Sequence, residues 1–284
     1  MKEQIVFLVV ATIGIIIATI TDLKTNEIPD AITHFMIFFG IGSYVILSLL
    51  GISNLIPVLI SISIAFLISS LMYYSGQWGG GDAKLLIGLG ALFPAYPSIL
   101  LNKFSPILAT WPFIVTLTLN LLIVGGVYSI FILIRKSIEN YRDINKKHNY
   151  VKYFVVIPIL LFMYSLIYSN YLLLFFSIIF LFGSITWLAH IIQKNYFVKK
   201  LEIGKLVEGD WIMKNLYKNE KLIYKIRKIG VTKKDIGQIQ KHLKGTVDVK
   251  TGIAFGPAFL ISFPITLYFG DLIFFMISEI LGKI

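Results

Sequence analysis

Two aspartates stand at the borders of apolar segments in this chain of 284 residues. Asp22 closes the run IIIATITD, and Asp82 follows Gly79, Gly80 and Gly81 in GQWGGGDAKLL. An ionisable side chain at membrane depth is costly, so two of them bordering segments that can pack together suggest a shared chemical site. Two carboxylates brought close cannot both ionise cheaply, and the pair holds a single proton around neutral pH. The ionised member can then take a proton from water while the protonated one polarises a scissile carbonyl. That is peptide hydrolysis without a covalent intermediate, and it needs no cofactor.

Each aspartate alone has a plainer reading. Asp22 could simply be a polar flank ending a helix, and Asp82 could cap the N-terminus of the next, where a carboxylate meets free N–H groups and the positive end of the dipole. The glycines shift the balance. A cap needs no such run, whereas a loop accepting an extended peptide benefits from backbone able to adopt positive φ and to let another chain approach.

The elements that must position these residues are membrane helices. The chain is 57% hydrophobic and 14% charged, with apolar runs of about the 20 residues that cross a bilayer. Helices are expected near 4–21, 31–51, 54–74, 83–101, 111–134, 153–169, 171–192 and 254–270. The fold class is an all-α polytopic membrane protein, with about 6–8 transmembrane helices and a small α/β cytoplasmic insert. The first run reads as a retained transmembrane helix, because MKEQ is a weak basic region and no small-residue cleavage site follows. With the N-terminus outside, 23 of the 26 basic residues fall in connections on the cytoplasmic side, as the positive-inside rule predicts. Only Lys2, Lys103 and Lys283 remain outside. The same topology puts Asp22 and Asp82 at the cytoplasmic boundary of the plasma membrane.

Three regions follow: residues 1–192 as a membrane core with both aspartates, 193–253 as a basic cytoplasmic insert, and 254–284 as a final helix and tail packing back on the core. Within the insert, EGDWIMKNLYKNEKLIYKIRK suggests a hairpin around KNEK. GVTKKDIGQIQKHLKG suggests a short helix with Thr232 as N-cap, Asp235 three residues later and Gly245 beyond its end. The insert's lysines suit anionic lipid headgroups better than nucleic acid, since no interleaved aromatic stripe or helix-turn-helix pattern accompanies them.

With no cysteine among the 284 residues, disulfides, thiolate zinc sites and cysteine nucleophiles are excluded. His34, His148, His190 and His242 have no metal-ligand spacing, so no metal is expected. His34 and His190 read as residues satisfied by a helix neighbour, and Trp78, Trp111 and Trp187 as interfacial anchors.

Gly79-Gly80-Gly81-Asp82 matches the GxGD motif of intramembrane aspartyl proteases, and the following AKLLIGLGALFP resembles the corresponding helix of prepilin and preflagellin peptidases. TDLKTNEIPD is similar to their first catalytic segment through Asp22, Lys24, Ile28, Pro29 and Asp30. GIAFGPAFLISFPITLYFGD, residues 252–271, is similar to their last helix. The three matches occur in the family's order. The resemblance implies that Asp22 and Asp82 are the catalytic pair, that Gly79 and Gly81 shape the loop, and that the partner is a membrane-anchored prepilin or preflagellin precursor losing a short basic leader. The paired cysteines of bacterial members, and room for the segment that carries them, are missing, so the chain resembles archaeal members, for which proteolysis without methyl transfer is expected.

Glu27 and Asp30, just past Asp22, are candidates for receiving the leader's basic residues, beside the plainer reading of a solvated loop. Pro257 opens the last helix in FGPAF and either brings backbone near the aspartates or fills a helix's first turn, where proline is routine. A transporter or channel using Asp82 at a glycine-broken helix is the alternative function, but it predicts acids in mid-helix and paired repeats, neither of which is evident here. A membrane sensor or scaffold acting through the insert would leave both aspartates dispensable.

Overall fold

The structure, a computed structural model, describes residues 2–104, 106–107, 110–147, 150–227 and 230–282. His148 and Lys283 lie outside the described residues. In chain order the helices and strands are α1 (Lys2–Thr25), α2 (Asp30–Leu49), α3 (Ile56–Tyr74), α4 (Gly80–Leu92), α5 (Ser98–Phe104), α6 (Phe113–Glu139), α7 (Tyr141–Lys147), α8 (Val151–Ile167) and α9 (Tyr171–Tyr196). Then come β1 (Val198–Glu202), β2 (Trp211–Ile212), β3 (Leu216–Lys218), β4 (Lys221–Tyr224), α10 (Lys233–His242), β5 (Thr246–Lys250), α11 (Gly256–Phe269) and α12 (Leu272–Leu281). Among the described residues five helices are long and apolar enough to cross a membrane: Glu3–Thr25, Asp30–Leu49, Ile56–Tyr74, Phe113–Glu139 and Tyr171–Tyr196. Val156–Ile167 and Gly256–Phe269 are shorter apolar helices. The protein is an all-α polytopic membrane protein with a small α/β insert.

Two compact units divide the chain, Met1–Tyr128 with Gly252–Ile284, and Ser129–Thr251. In the first, α4 packs on both α2 and α3, and Leu85, Leu86, Leu89 and Leu92 are fully buried. Small residues permit this close approach. A Cβ on Gly90 would come within 2.9 Å of Ala65 Cβ, and one on Gly40 within 2.7 Å of the Ala91 carbonyl oxygen. Serine hydroxyls supply polar ties between α3 and α4, with Ser61 Oγ donating to Gly90 O at 2.8 Å and Ser69 Oγ to Ala83 O at 2.9 Å, as is common where lipid gives helices no hydrophobic reason to associate. The outer faces carry exposed apolar side chains such as Phe38, Leu67 and Leu71, suited to lipid.

The helix expected over 83–101 is instead the 13-residue α4, followed by an irregular stretch and α5. Pro94 and Pro97 are the reason: each lacks an N–H, and each disfavours helical geometry in the residue before it. Phe93 accordingly leaves the helix at φ −127° and ψ 79°. At 1.5 Å per residue α4 is about 20 Å long, shorter than the hydrocarbon core. A second helix, α12, continues beyond the expected end of the last segment.

In the second unit α8 packs on α9. There β5 lies between β1 and β2 in an antiparallel sheet, around Ile203, Ile212, Tyr224, Ile239, Val247 and Val249. The hairpin around KNEK forms from β3 and β4, with Asn219 and Glu220 at φ 47° and 63°, the two positive angles that a two-residue type I′ connection needs. Trp211 and Ile212 leave that hairpin to pair with β5. On α10, Thr232 Oγ1 accepts from Asp235 N at 3.3 Å, and Asp235 Oδ2 accepts from Thr232 N at 3.0 Å, the reciprocal arrangement of a capping box.

Candidate active site

Asp22 lies in the last turn of α1 and is buried. Its Oδ2 accepts a 2.7 Å hydrogen bond from Gly256 N at the start of α11. One turn earlier, Thr19 Oγ1 donates to the carbonyl oxygen of the same glycine at 3.0 Å. Residues three apart share a helix face, so α1 holds both polar groups of Gly256 with one stripe. The contact leaves no room for a side chain: a Cβ on Gly256 would lie 2.8 Å from Thr19 Cα and 3.2 Å from Asp22 Oδ2. Pro257 occupies the first turn of α11, where its missing N–H is no loss.

Asp82 is the third residue of α4, and its Oδ2 accepts from Gly79 N at 3.1 Å. The capping role is therefore real, but it uses one oxygen only. Asp82 Oδ1 is buried without a hydrogen-bond partner among the described residues. Such an atom is expensive in a structural cap and useful in a site that is to receive a ligand.

Within the glycine run it is Gly81 that provides room, since a Cβ on Gly79 or Gly80 would meet nothing nearer than 3.4 and 3.8 Å. Gly79 is extended at φ −75° and ψ 165°, and none of Gly79, Gly80 and Gly81 has positive φ, contrary to the expectation above. Gly81 instead lies against the chain that follows Asp22: its Cβ would come within 2.8 Å of Ile28 Cβ and 3.3 Å of Ile28 N. Ile28 is buried, so the segment after Asp22 and the start of α4 press directly on one another. The Asp22 side chain lies within electrostatic reach of Asp82.

Trp78 is buried, not an interfacial anchor, and its ring lies 5.8 Å from Phe255 and 6.0 Å from Phe259. The residue before the glycine loop is thereby packed on the residues that flank Gly256. The Phe255 ring in turn occupies the space that a side chain at Gly125 would need. Thr19, Trp78, Phe255 and Gly256 thus tie the two aspartate-bearing elements to α11. Sequence reasoning singled out none of them for this, although FGP hinted at a special role for the segment.

Asp30 Oδ1 and Lys84 Nζ form a 2.6 Å ion pair between α2 and α4. Asp30 therefore already has a cation on it, and Glu27 is the exposed acid of that segment with no ion pair among the described residues. No group of three or more His, Cys, Asp or Glu placed to hold a metal occurs among the described residues.

This arrangement of α1, α4 and their loops coincides with a stretch that known proteins share. Residues 9–130 match the Type IV leader peptidase family. Both aspartates lie inside that stretch, and the resemblance drawn from the motifs is borne out there. Three preflagellin peptidases are similar to part of the chain. Identity is 40% over 90 residues with the Methanococcus maripaludis protein, covering 31% of this chain and 39% of that one. For Methanocaldococcus jannaschii it is 39% over 90 residues, 31% of this chain and 38% of that one. For Methanococcus voltae it is 36% over 101 residues, 34% and 42%. The chain spans about two fifths of the length of the curated relatives it matches.

Proposed function

We propose that the protein is a membrane-embedded aspartyl endopeptidase that removes a short basic leader from preflagellin-like or type IV prepilin-like precursors, with Asp22 and Asp82 as the pair that activates water. The observation that carries this reading is the buried, unpartnered Asp82 Oδ1, within electrostatic reach of Asp22, in a stretch matching the Type IV leader peptidase family. A free buried carboxylate oxygen is a group held ready for a proton or a water. Asp22, anchored by Gly256 N–H, supplies the second carboxylate of an acid–base pair. No cofactor or metal takes part in this scheme. Exposed Glu27 is the better candidate for a basic leader residue, because the charge of Asp30 is met by Lys84. The N-terminus lies outside, the basic insert 193–253 in the cytoplasm near anionic lipid, and the site at the cytoplasmic face of the cell membrane.

The test is leader removal from a preflagellin or prepilin precursor, followed by mass shift, with membranes carrying wild type, Asp22→Asn or Asp82→Asn. Each substitution is expected to lower the rate by about 10²–10⁴-fold, the usual weight of a positioned acid or base. Cleavage that survives both overturns the dyad. In the same assay Glu27→Lys is expected to raise the precursor concentration required for half-maximal rate, and an unchanged profile removes Glu27 from the site.

A further inference from the structure

The end of α11 away from Asp22 carries a buried polar cluster with no part in the reading above. Besides Asp82 Oδ1, the buried side-chain atoms without a hydrogen-bond partner among the described residues are Tyr96 OH, Thr116 Oγ1 and Asp271 Oδ2. Tyr96 is 5% exposed, Thr116 0% and Asp271 1%.

Helix register brings the three together. On α6, Phe113, Thr116 and Asn120 lie three and four residues apart and so share a face. Phe113 takes the Tyr96 ring edge-on with centroids 5.0 Å apart. Asn120 grips the backbone on either side of Asp271: its Nδ2 donates to Gly270 O at 2.7 Å, and its Oδ1 accepts from Leu272 N at 2.9 Å. Gly270 ends α11 at φ 76°, and Asp271 N donates to Ile107 O at 3.2 Å. Asp271 Oδ1 caps α12 by accepting from Phe274 N at 3.0 Å, which leaves Oδ2 free. Thr116 lies at hydrogen-bonding approach to the Tyr96 hydroxyl, and Asp271 is within electrostatic reach of it.

A carboxylate buried this deeply is unfavourable unless it is neutralised, and no ion pair among the described residues involves Asp271. The free atoms are all oxygens, the ligand type of hard cations. They carry a single formal negative charge, which one monovalent ion balances. We infer that Asp271, Thr116 and Tyr96 form a binding site for a hard monovalent cation of the sodium class. The bound ion ties α6, the segment before α5 and the α11–α12 junction together at the end of the helix whose other end holds Asp22.

The test uses the full-length protein in lipid nanodiscs, with thermal unfolding followed in sodium chloride against N-methyl-D-glucamine chloride at matched ionic strength. The wild-type midpoint is expected to rise by several degrees along a saturating sodium curve. Asp271→Asn flattens that curve, and Thr116→Val shifts its half-saturation about tenfold to higher sodium, the scale of losing one supporting group at an ion site. A wild-type midpoint indifferent to sodium overturns the site. An Asp271→Asn curve superimposable on wild type overturns it equally, and saturation by calcium with no response to sodium overturns the monovalent class. The wild-type titration requires no variant, so it decides the matter even if Asp271→Asn does not fold.

Discussion

Gly81 and Gly256 are the positions from which the smallest chemical change reaches both aspartates. A methyl group on Gly81 would meet Ile28 Cβ at 2.8 Å, and one on Gly256 would meet Thr19 Cα at 2.8 Å and Asp22 Oδ2 at 3.2 Å. Neither set of neighbours is the far end of a flexible side chain, so the elements themselves must shift. Gly81→Ala and Gly256→Ala are each expected to reduce leader removal by about 10²-fold, since misplacing reacting groups by an ångström has effects of that size. Rates within a few-fold of wild type for folded variants would show that the close contacts do not position the pair. Both aspartates were visible in the sequence because charge in an apolar context is conspicuous. Thr19 was not, since its partner Gly256 lies 237 residues away, and a threonine late in a helix looks like any other.

For the helices, the decisive contacts are those that let α4 sit between α2 and α3. Gly90→Ala places a Cβ 2.9 Å from Ala65 Cβ and is expected to destabilise the protein by about 1–3 kcal/mol through overpacking. Gly42, also helical, has nothing within 4 Å of the corresponding point. Gly42→Ala is therefore expected to stabilise by about 0.4–1 kcal/mol by reducing the freedom of the unfolded chain. Thermal unfolding of both variants in one lipid environment checks the pair, and equal shifts of the same sign would contradict the packing argument. Hydropathy located the expected apolar helices because the bilayer demands long apolar runs. It overran the end of α4 because AYPSIL continues the apolar composition past Pro94 and Pro97, and composition does not register a missing N–H. The capping box of α10 was legible for the opposite reason: Thr232 and Asp235 are three residues apart and satisfy one another locally.

For the molecule as a whole, the absence of cysteine allows topology to be read with single introduced thiols. Gly204→Cys, in the insert and with open space where its Cβ would stand, is expected to react with a membrane-impermeant maleimide only after the membrane is opened. Ser53→Cys, between α2 and α3, is expected to react from outside in intact cells. The reverse pattern would invert the orientation and place the aspartates on the outer face.

By itself the sequence determined the class of the protein, the rough position of most of its apolar helices, the two carboxylates worth watching and the leader-peptidase resemblance. Those features are written in composition and in spacings of a few residues, where the chain interacts mainly with bilayer and with itself nearby. Only the tertiary structure decided what the glycines are for, that Trp78 is buried against Phe255 and Phe259, that Gly256 holds Asp22, and that Asp271 shares a buried cluster with Tyr96 and Thr116. Each of these depends on which atoms meet across distant parts of the chain. Packing chooses those encounters, and no local pattern encodes them.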